Sequence, residues 1–143
     1  MSKQKEKKMR EHKFRVWDNK RNEWYGASNK EHSLLFYGFH IFGECTLLCS
    51  PPLDDLQYLE IDEYTGLKDK NGKEIYEGDI LLGYYEDFGM PASNKKHYEV
   101  KWVERSTGYE PFIDYDIECE RFFSIETCEV IGNIHENPEL LEI

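Results

Sequence analysis

Asp114, Asp116, Glu118 and Glu120 alternate with Tyr115, Ile117 and Cys119, so a strand over this segment would project four carboxylates to one face. No other acidic grouping in the chain has comparable geometric content. Carboxylates in a row suit a divalent cation or a basic partner, and spacing decides between them. Same-face neighbours on a strand stand roughly 6.8 Å apart, whereas calcium draws its oxygens within about 2.6 Å of one centre. One strand therefore cannot build a cation site without converging loops. Repulsion between neighbours at that spacing is only ~0.6 kcal/mol in water, and salt reduces it further. The ladder needs no ion, and we assign no metal to it. It reads as a solvated face or as a surface for a basic partner.

Other reactive residues are spaced unfavourably for chemistry. Cys45, Cys49, Cys119 and Cys128 lack the Cys-x-x-Cys step that lets one tight turn present two thiolates to zinc, the intervals being three and eight residues. Free, buried thiols in a reducing compartment are the expectation. His12, His32, His40, His97 and His135 include no pair four apart around a glutamate, and none receives a catalytic role. Gly72-Lys73 is followed by Glu74, which does not make a phosphate loop, and there is no Gly-x-Ser-x-Gly elbow. A non-enzyme without cofactor is expected. Aromatic side chains are common at contact hot spots, and Trp17, Trp24, Tyr84, Tyr85, Trp102 and Tyr109 are placed for that role. Trp17 and Trp102 lie in strand-like patterns and are expected in the core. Tyr84 and Tyr85 join Asp114, Asp116, Glu118 and Glu120 as the candidate interaction surface.

The elements that must carry these residues are short. A chain of 143 residues can bury one core or two small modules. Its 39% hydrophobic and 15% aromatic content excludes wholesale disorder, and a mean hydropathy of -0.76 without a long apolar run excludes a membrane-spanning helix. The lysine-rich start lacks the apolar stretch of a secretory signal, so a cytoplasmic location is expected. Charge is uneven: residues 1 to 15 hold seven Lys or Arg against two acids, while the remainder holds eleven against twenty-seven. An acidic body repels the nucleic-acid backbone, which leaves the arm over residues 1–12 as the part suited to nucleic acid, or else as a solvated tail.

Lys13-Phe14-Arg15-Val16-Trp17 alternates and predicts a strand, with Glu23-Trp24-Tyr25 returning as its hairpin partner after Asp18-Asn19-Lys20-Arg21-Asn22. Residues 33 to 42 predict two short strands or one bent strand around Gly38. Pro51 and Pro52 then stop any ladder, with room for a brief helix. Asn71-Gly72 predicts a tight hairpin turn, Glu77-Gly78-Asp79 a second turn, and residues 80 to 85 a buried strand. Residues 87 to 96 predict a long loop, and Tyr98 to Val103 one strand with Tyr98, Val100 and Trp102 on the same side. Residues 127 to 134 predict another strand. Asn137 caps a short terminal helix opened by Pro138.

Two runs carry a family resemblance. They are Thr65-Gly66-Leu67-Lys68-Asp69-Lys70-Asn71-Gly72-Lys73-Glu74-Ile75-Tyr76-Glu77-Gly78-Asp79-Ile80 and Glu129-Val130-Ile131-Gly132-Asn133-Ile134-His135-Glu136-Asn137-Pro138-Glu139-Leu140-Leu141, joined by the opening Phe14-Arg15-Val16-Trp17-Asp18. Together they resemble the YopX family of bacteriophages and of prophages in Gram-positive bacteria, over most of residues 13 to 142. The resemblance implies a mainly β protein with an SH3-like C-terminal β-barrel, here at 65–143; the residue patterns add an N-terminal β-hairpin module at 13–64 and a short terminal helix, and the basic arm at 1–12 departs from the family's usual pattern. It brings no catalytic residues with it. The expected function is a phage or prophage accessory protein in the host cytoplasm, binding a phage or host protein, as a homo-oligomer and without a membrane. The alternatives are an acidic DNA mimic or anti-host factor, and nucleic-acid binding through the basic arm.

Overall fold

A computed structural model describes residues 12–24, 57–87, 90–91, 94–113 and 121–142. The chain is mainly β, with its strands curled into a half-barrel, and among the described residues no helix reaches seven residues. The strands are β1 (Phe14–Asp18), β2 (Glu23–Trp24), β3 (Leu59–Lys68), β4 (Glu74–Tyr76), β5 (Asp79–Gly83), β6 (Tyr85–Asp87), β7 (Met90–Pro91), β8 (Lys96–Glu99), β9 (Lys101–Val103), β10 (Gly108–Glu110), β11 (Arg121–Phe123) and β12 (Glu129–Asn133). They pair antiparallel in the orders β2-β1-β3-β4, β12-β5-β8, β11-β6-β7 and β10-β9.

The opening hairpin forms because Asp18 organises its turn. Its Oδ1 accepts the amides of Lys20 (2.9 Å) and Arg21 (3.1 Å), and Asn22 takes the positive φ of 54° that asparagine tolerates. β3 then runs unbroken past Thr65, pairing with β1 along one edge and β4 along the other. Asp69 closes the β3–β4 turn. Its Oδ1 accepts Asn71 N (2.8 Å) and Lys73 N (2.9 Å), while Oδ2 reaches across to Val130 N of β12 at 3.0 Å. Only Gly72 of the Asn-Gly pair has positive φ, so the turn needs one left-handed residue rather than two.

Ile75, Leu81, Val100, Tyr109, Phe123, Cys128 and Val130 form the main core, with Tyr85, Tyr98, Phe112 and Ile125 packed around it. Ile75 and Leu81 are fully buried, each contributing roughly 2–3 kcal/mol of apolar transfer. Gly83 admits this packing. A Cβ there would stand 2.5 Å from Phe123 Cζ, so the glycine is what lets the ring lie on the strand.

Four expectations change. The strand predicted from Tyr98 to Val103 breaks at Val100, whose amide bonds Asp79 O (2.8 Å) and whose carbonyl accepts Gly78 N (2.7 Å). β9 leaves to pair with β10, and Trp102, expected in the core, lies 42% exposed against Tyr109. The loop predicted over 87 to 96 contains β7, paired with β6. Pro91 fits there because β7 is an edge strand, where a missing N–H costs no ladder bond. The predicted buried strand from 80 to 85 divides at Tyr84 into β5 and β6. The terminal helix is a 3-10 turn over Pro138–Leu141 without a side-chain cap from Asn137, whose Oδ1 instead lies 3.4 Å from Asn133 N. The basic arm to Glu11, the strands expected at 33 to 42 and the brief helix expected at 50 to 55 lie outside the described residues.

Candidate functional site

Strand parity places Arg15, Trp17, Glu60 and Asp62 on one face of the β1–β3 pair, because Arg15 stands opposite Asp62 and Trp17 opposite Glu60 in register. Trp24 of β2 joins them opposite Trp17. Two turns then cover this face: Glu77-Gly78-Asp79 before β5, and Ile134-His135-Glu136 after β12. Their backbones are tied to each other, since Ile134 N donates to Gly78 O at 2.8 Å. Gly78 is required at the crossing. Its φ is 81°, and a Cβ would meet Asp62 Oδ2 at 3.3 Å and Ile134 Cγ1 at 3.4 Å.

Arg15 is the hub. Its Nε donates to Asp62 Oδ2 (3.1 Å), and its Nη2 reaches Asp79 Oδ1 (2.8 Å) and Glu77 O (3.2 Å). The guanidinium plane lies over Trp24 at 4.4 Å and Tyr76 at 4.9 Å, a setting that a planar, weakly hydrated cation fills and an ammonium does not. Asp79 Oδ2 accepts Tyr76 N at 2.8 Å. His135 packs its ring on Trp17, centroids 5.2 Å apart and nearly parallel, with Trp24 edge-on at 5.5 Å. Its Nε2 faces Asp62 Oδ2 at 3.1 Å, and its Nδ1 faces Glu60 Oε2 at 3.4 Å. Glu136 Oε2 accepts both Trp24 Nε1 (3.1 Å) and Asn133 Nδ2 (2.7 Å).

Burial sets the electrostatics. The Asp62 and Asp79 carboxyls are pushed above the ordinary carboxylate value by desolvation, which outweighs the pull of Arg15 on each. Glu136 is held below the usual range, first by the Asn133 amide and then, against burial, by the Trp24 indole. Burial and then Glu74 push the Tyr76 hydroxyl up to about 12. Beside the hub lies a cleft of about 350 Å³ lined by Arg15, Trp24, Lys73, Asp79, Asn133 and Glu136 together with the 130–132 backbone.

A His–Asp pair invites comparison with acyl-transfer triads, where the imidazole's other nitrogen must meet a nucleophile. Here that nitrogen meets Glu60, and the ring faces meet indoles. Among the described residues, the partner of that nitrogen is a carboxylate and not a hydroxyl or thiol. Cys128 is buried, its Sγ turned to Ile125 O at 3.2 Å, and burial lifts its thiol to about 11. Cys45, Cys49 and Cys119 lie outside the described residues, as do Asp114, Asp116, Glu118 and Glu120. Tyr85 stacks edge-on with Tyr98 (5.5 Å) and Phe123 (5.6 Å) at the rim of the core, and Tyr84 is half-buried. Sequence reasoning therefore did not single out Arg15, Asp62, Asp79 or His135. The signal it had was that three of these four sit in the resemblance-bearing runs; nothing indicated that those runs meet.

The sequence profile described as YopX protein matches residues 13–142, nearly the whole chain. The chain belongs to the YopX family. Among solved structures, this YopX chain is similar to protein EF1440 from Enterococcus faecalis, with 26% identity and a TM-score of 0.51 over 93% of this chain and 99% of that one. Comparison with curated proteins gives no match. The hub thus gathers Arg15 from the opening run, Asp79 from the central run, and His135 and Glu136 from the ending run of the YopX pattern.

Proposed function

We propose that this YopX protein is a phage or prophage accessory protein that works by contact rather than catalysis, in the bacterial cytoplasm, as a binding or assembly module. On this reading residues 65–143 make an SH3-like unit, the preceding hairpin module is fastened to it through Arg15, and the protein self-associates or engages a phage or host protein. One observation carries the reading: large apolar side chains stand at the surface, among them Met90 at 68% exposure, Ile61 at 50% and Trp102 at 42%. Aromatic and aliphatic anchors of this kind are what interface hot spots are made from. The polar groups around the cleft give supporting weight, because Asp79 and Glu136 already accept internal donors.

The test is affinity capture from cells carrying the phage, paired with light scattering across a concentration series. Recovery of a defined partner or a concentration-dependent dimer, weakened by Trp102→Ala or Ile61→Asp with unchanged melting temperature, is the expected result. A monomer at every concentration without a partner, or turnover of a substrate by purified protein, would overturn it. The net charge of -11 favours a second reading, an acidic mimic for a basic host protein, for which capture would be lost in high salt.

A further inference from the structure

His135 occupies a position in which its proton count sets its contacts. Its ring is 5% exposed, and its backbone is fixed independently of the ring by Ile134 N on Gly78 O and by His135 N on Asn133 Oδ1 at 3.0 Å. Both nitrogens face carboxylate acceptors: Nε2 faces Asp62 Oδ2 at 3.1 Å and Oδ1 at 3.4 Å, and Nδ1 faces Glu60 Oε2 at 3.4 Å. A neutral imidazole has one N–H, so it donates to one of the two acids and turns a lone pair toward the other. An imidazolium carries an N–H on each nitrogen and the charge that the ion pair with Glu60 requires. The charged groups facing the ring are Glu60 and Asp62 from β3, Arg15 from β1 through Asp62, and Glu136 beside it on the same turn. Asp79 stands one step further, across Arg15.

We propose that His135 is a proton-operated latch between the turn after β12 and strand β3, holding Glu60 and Asp62 together when the ring carries two protons and releasing Glu60 when it carries one. Glu60 is the acid released because its contact is the longer and its side chain is 54% exposed, so water takes over from the ion pair. Asp62, 8% exposed, has Arg15 as well and stays in place. Trp24 touches the ring edge-on and also lines the cleft, so the proton alters the cleft's surroundings by one unit of positive charge. The latch stands on the ring's geometry and is independent of whether the protein proves to be a binding module.

The experiment is NMR of full-length protein with nitrogen-labelled histidine and tryptophan, titrated over the range of about pH 5–8 in which imidazoles change charge. The His135 ring passes from two N–H groups to one, and the indole resonances of Trp17 and Trp24 move in step while that of Trp102 does not. His135→Gln abolishes the movement. Should that variant not fold, Glu60→Gln gives the answer: with an anion gone, the imidazolium loses support and the step moves to lower pH. A ring that keeps one protonation form throughout, indole shifts that persist in His135→Gln, or a step that Glu60→Gln leaves in place would each overturn the latch.

Discussion

Replacing Asp69 removes the side chain that ties the β3–β4 turn to the backbone of β12, beside the Lys70–Glu129 ion pair. Its two oxygens accept three backbone amides, Asn71 and Lys73 at Oδ1 and Val130 at Oδ2. Asp69→Ala leaves the Val130 amide, at the margin of the core, without its acceptor. An unpaired buried donor costs about 1–3 kcal/mol, and the two turn amides, which water reaches, add less, for a loss of about 2–4 kcal/mol. At roughly 2–4 °C per kcal/mol for a chain of this size, the melting temperature falls by roughly 4–16 °C. Asp69→Asn separates the contributions, since its carbonyl can serve Oδ1's two amides while its NH₂ faces Val130 N–H donor to donor. It should lose about 1–3 kcal/mol. The pH dependence supplies a second check. Burial raises the Asp69 carboxyl, but the Val130, Lys73 and Asn71 amides together hold it below its ordinary 3.8. Its stabilisation is therefore full above that value and is lost as pH falls through the lower folded value, so wild type and Asp69→Ala converge only in strong acid. Thermal melts by circular dichroism measure both effects. An Asp69→Ala protein that melts within about 2 °C of wild type at neutral pH would refute the reasoning.

Arg15→Met strands Asp62 and Asp79 in the interior, which costs about 3–5 kcal/mol near neutral pH in urea unfolding. Burial already raises both carboxyls above 3.8 and Arg15 pulls each down, so without Arg15 they rise further, the variant takes up protons before wild type does and the deficit narrows as pH falls; a deficit that widens in acid argues against it. Gly78→Ala and Gly72→Ala share a positive φ cost of about 1–2 kcal/mol, but only the first adds a Cβ against Asp62 and Ile134, so it should melt lower; equal melting temperatures would show that the turns over the hub are slack. A variant with Cys45, Cys49 and Cys119 changed to Ser leaves Cys128 alone, and its thiol, lifted to about 11 by burial, should resist disulfide reagents until denaturant is added, whereas prompt labelling of native protein would contradict its burial.

The legible part of this molecule is local. Asp18 and the following turn formers announced the first hairpin, Gly72 and Gly78 announced their turns, and Lys101-Trp102-Val103 was recognisably extended, because turn chemistry and side-chain alternation act over a few residues. Where a strand ends in mid-pattern was not legible. Val100 continues the alternation without interruption, and only its bonds to Gly78 and Asp79, residues distant in sequence, turn the chain so that Trp102 faces outward.

By itself the sequence determined family, strand-rich character and the turns that punctuate it, since each is written in residue identity and short spacing. Tertiary structure alone decided the hub. Arg15 meets Asp62 and Asp79 across 47 and 64 positions, and His135 meets Asp62 across 73. No local pattern encodes such pairings, because they follow from the register of β1 on β3 and from the crossing of two turns above that sheet. A half-buried cation takes its partners from whichever strands the fold sets beside it, and that choice belongs to topology.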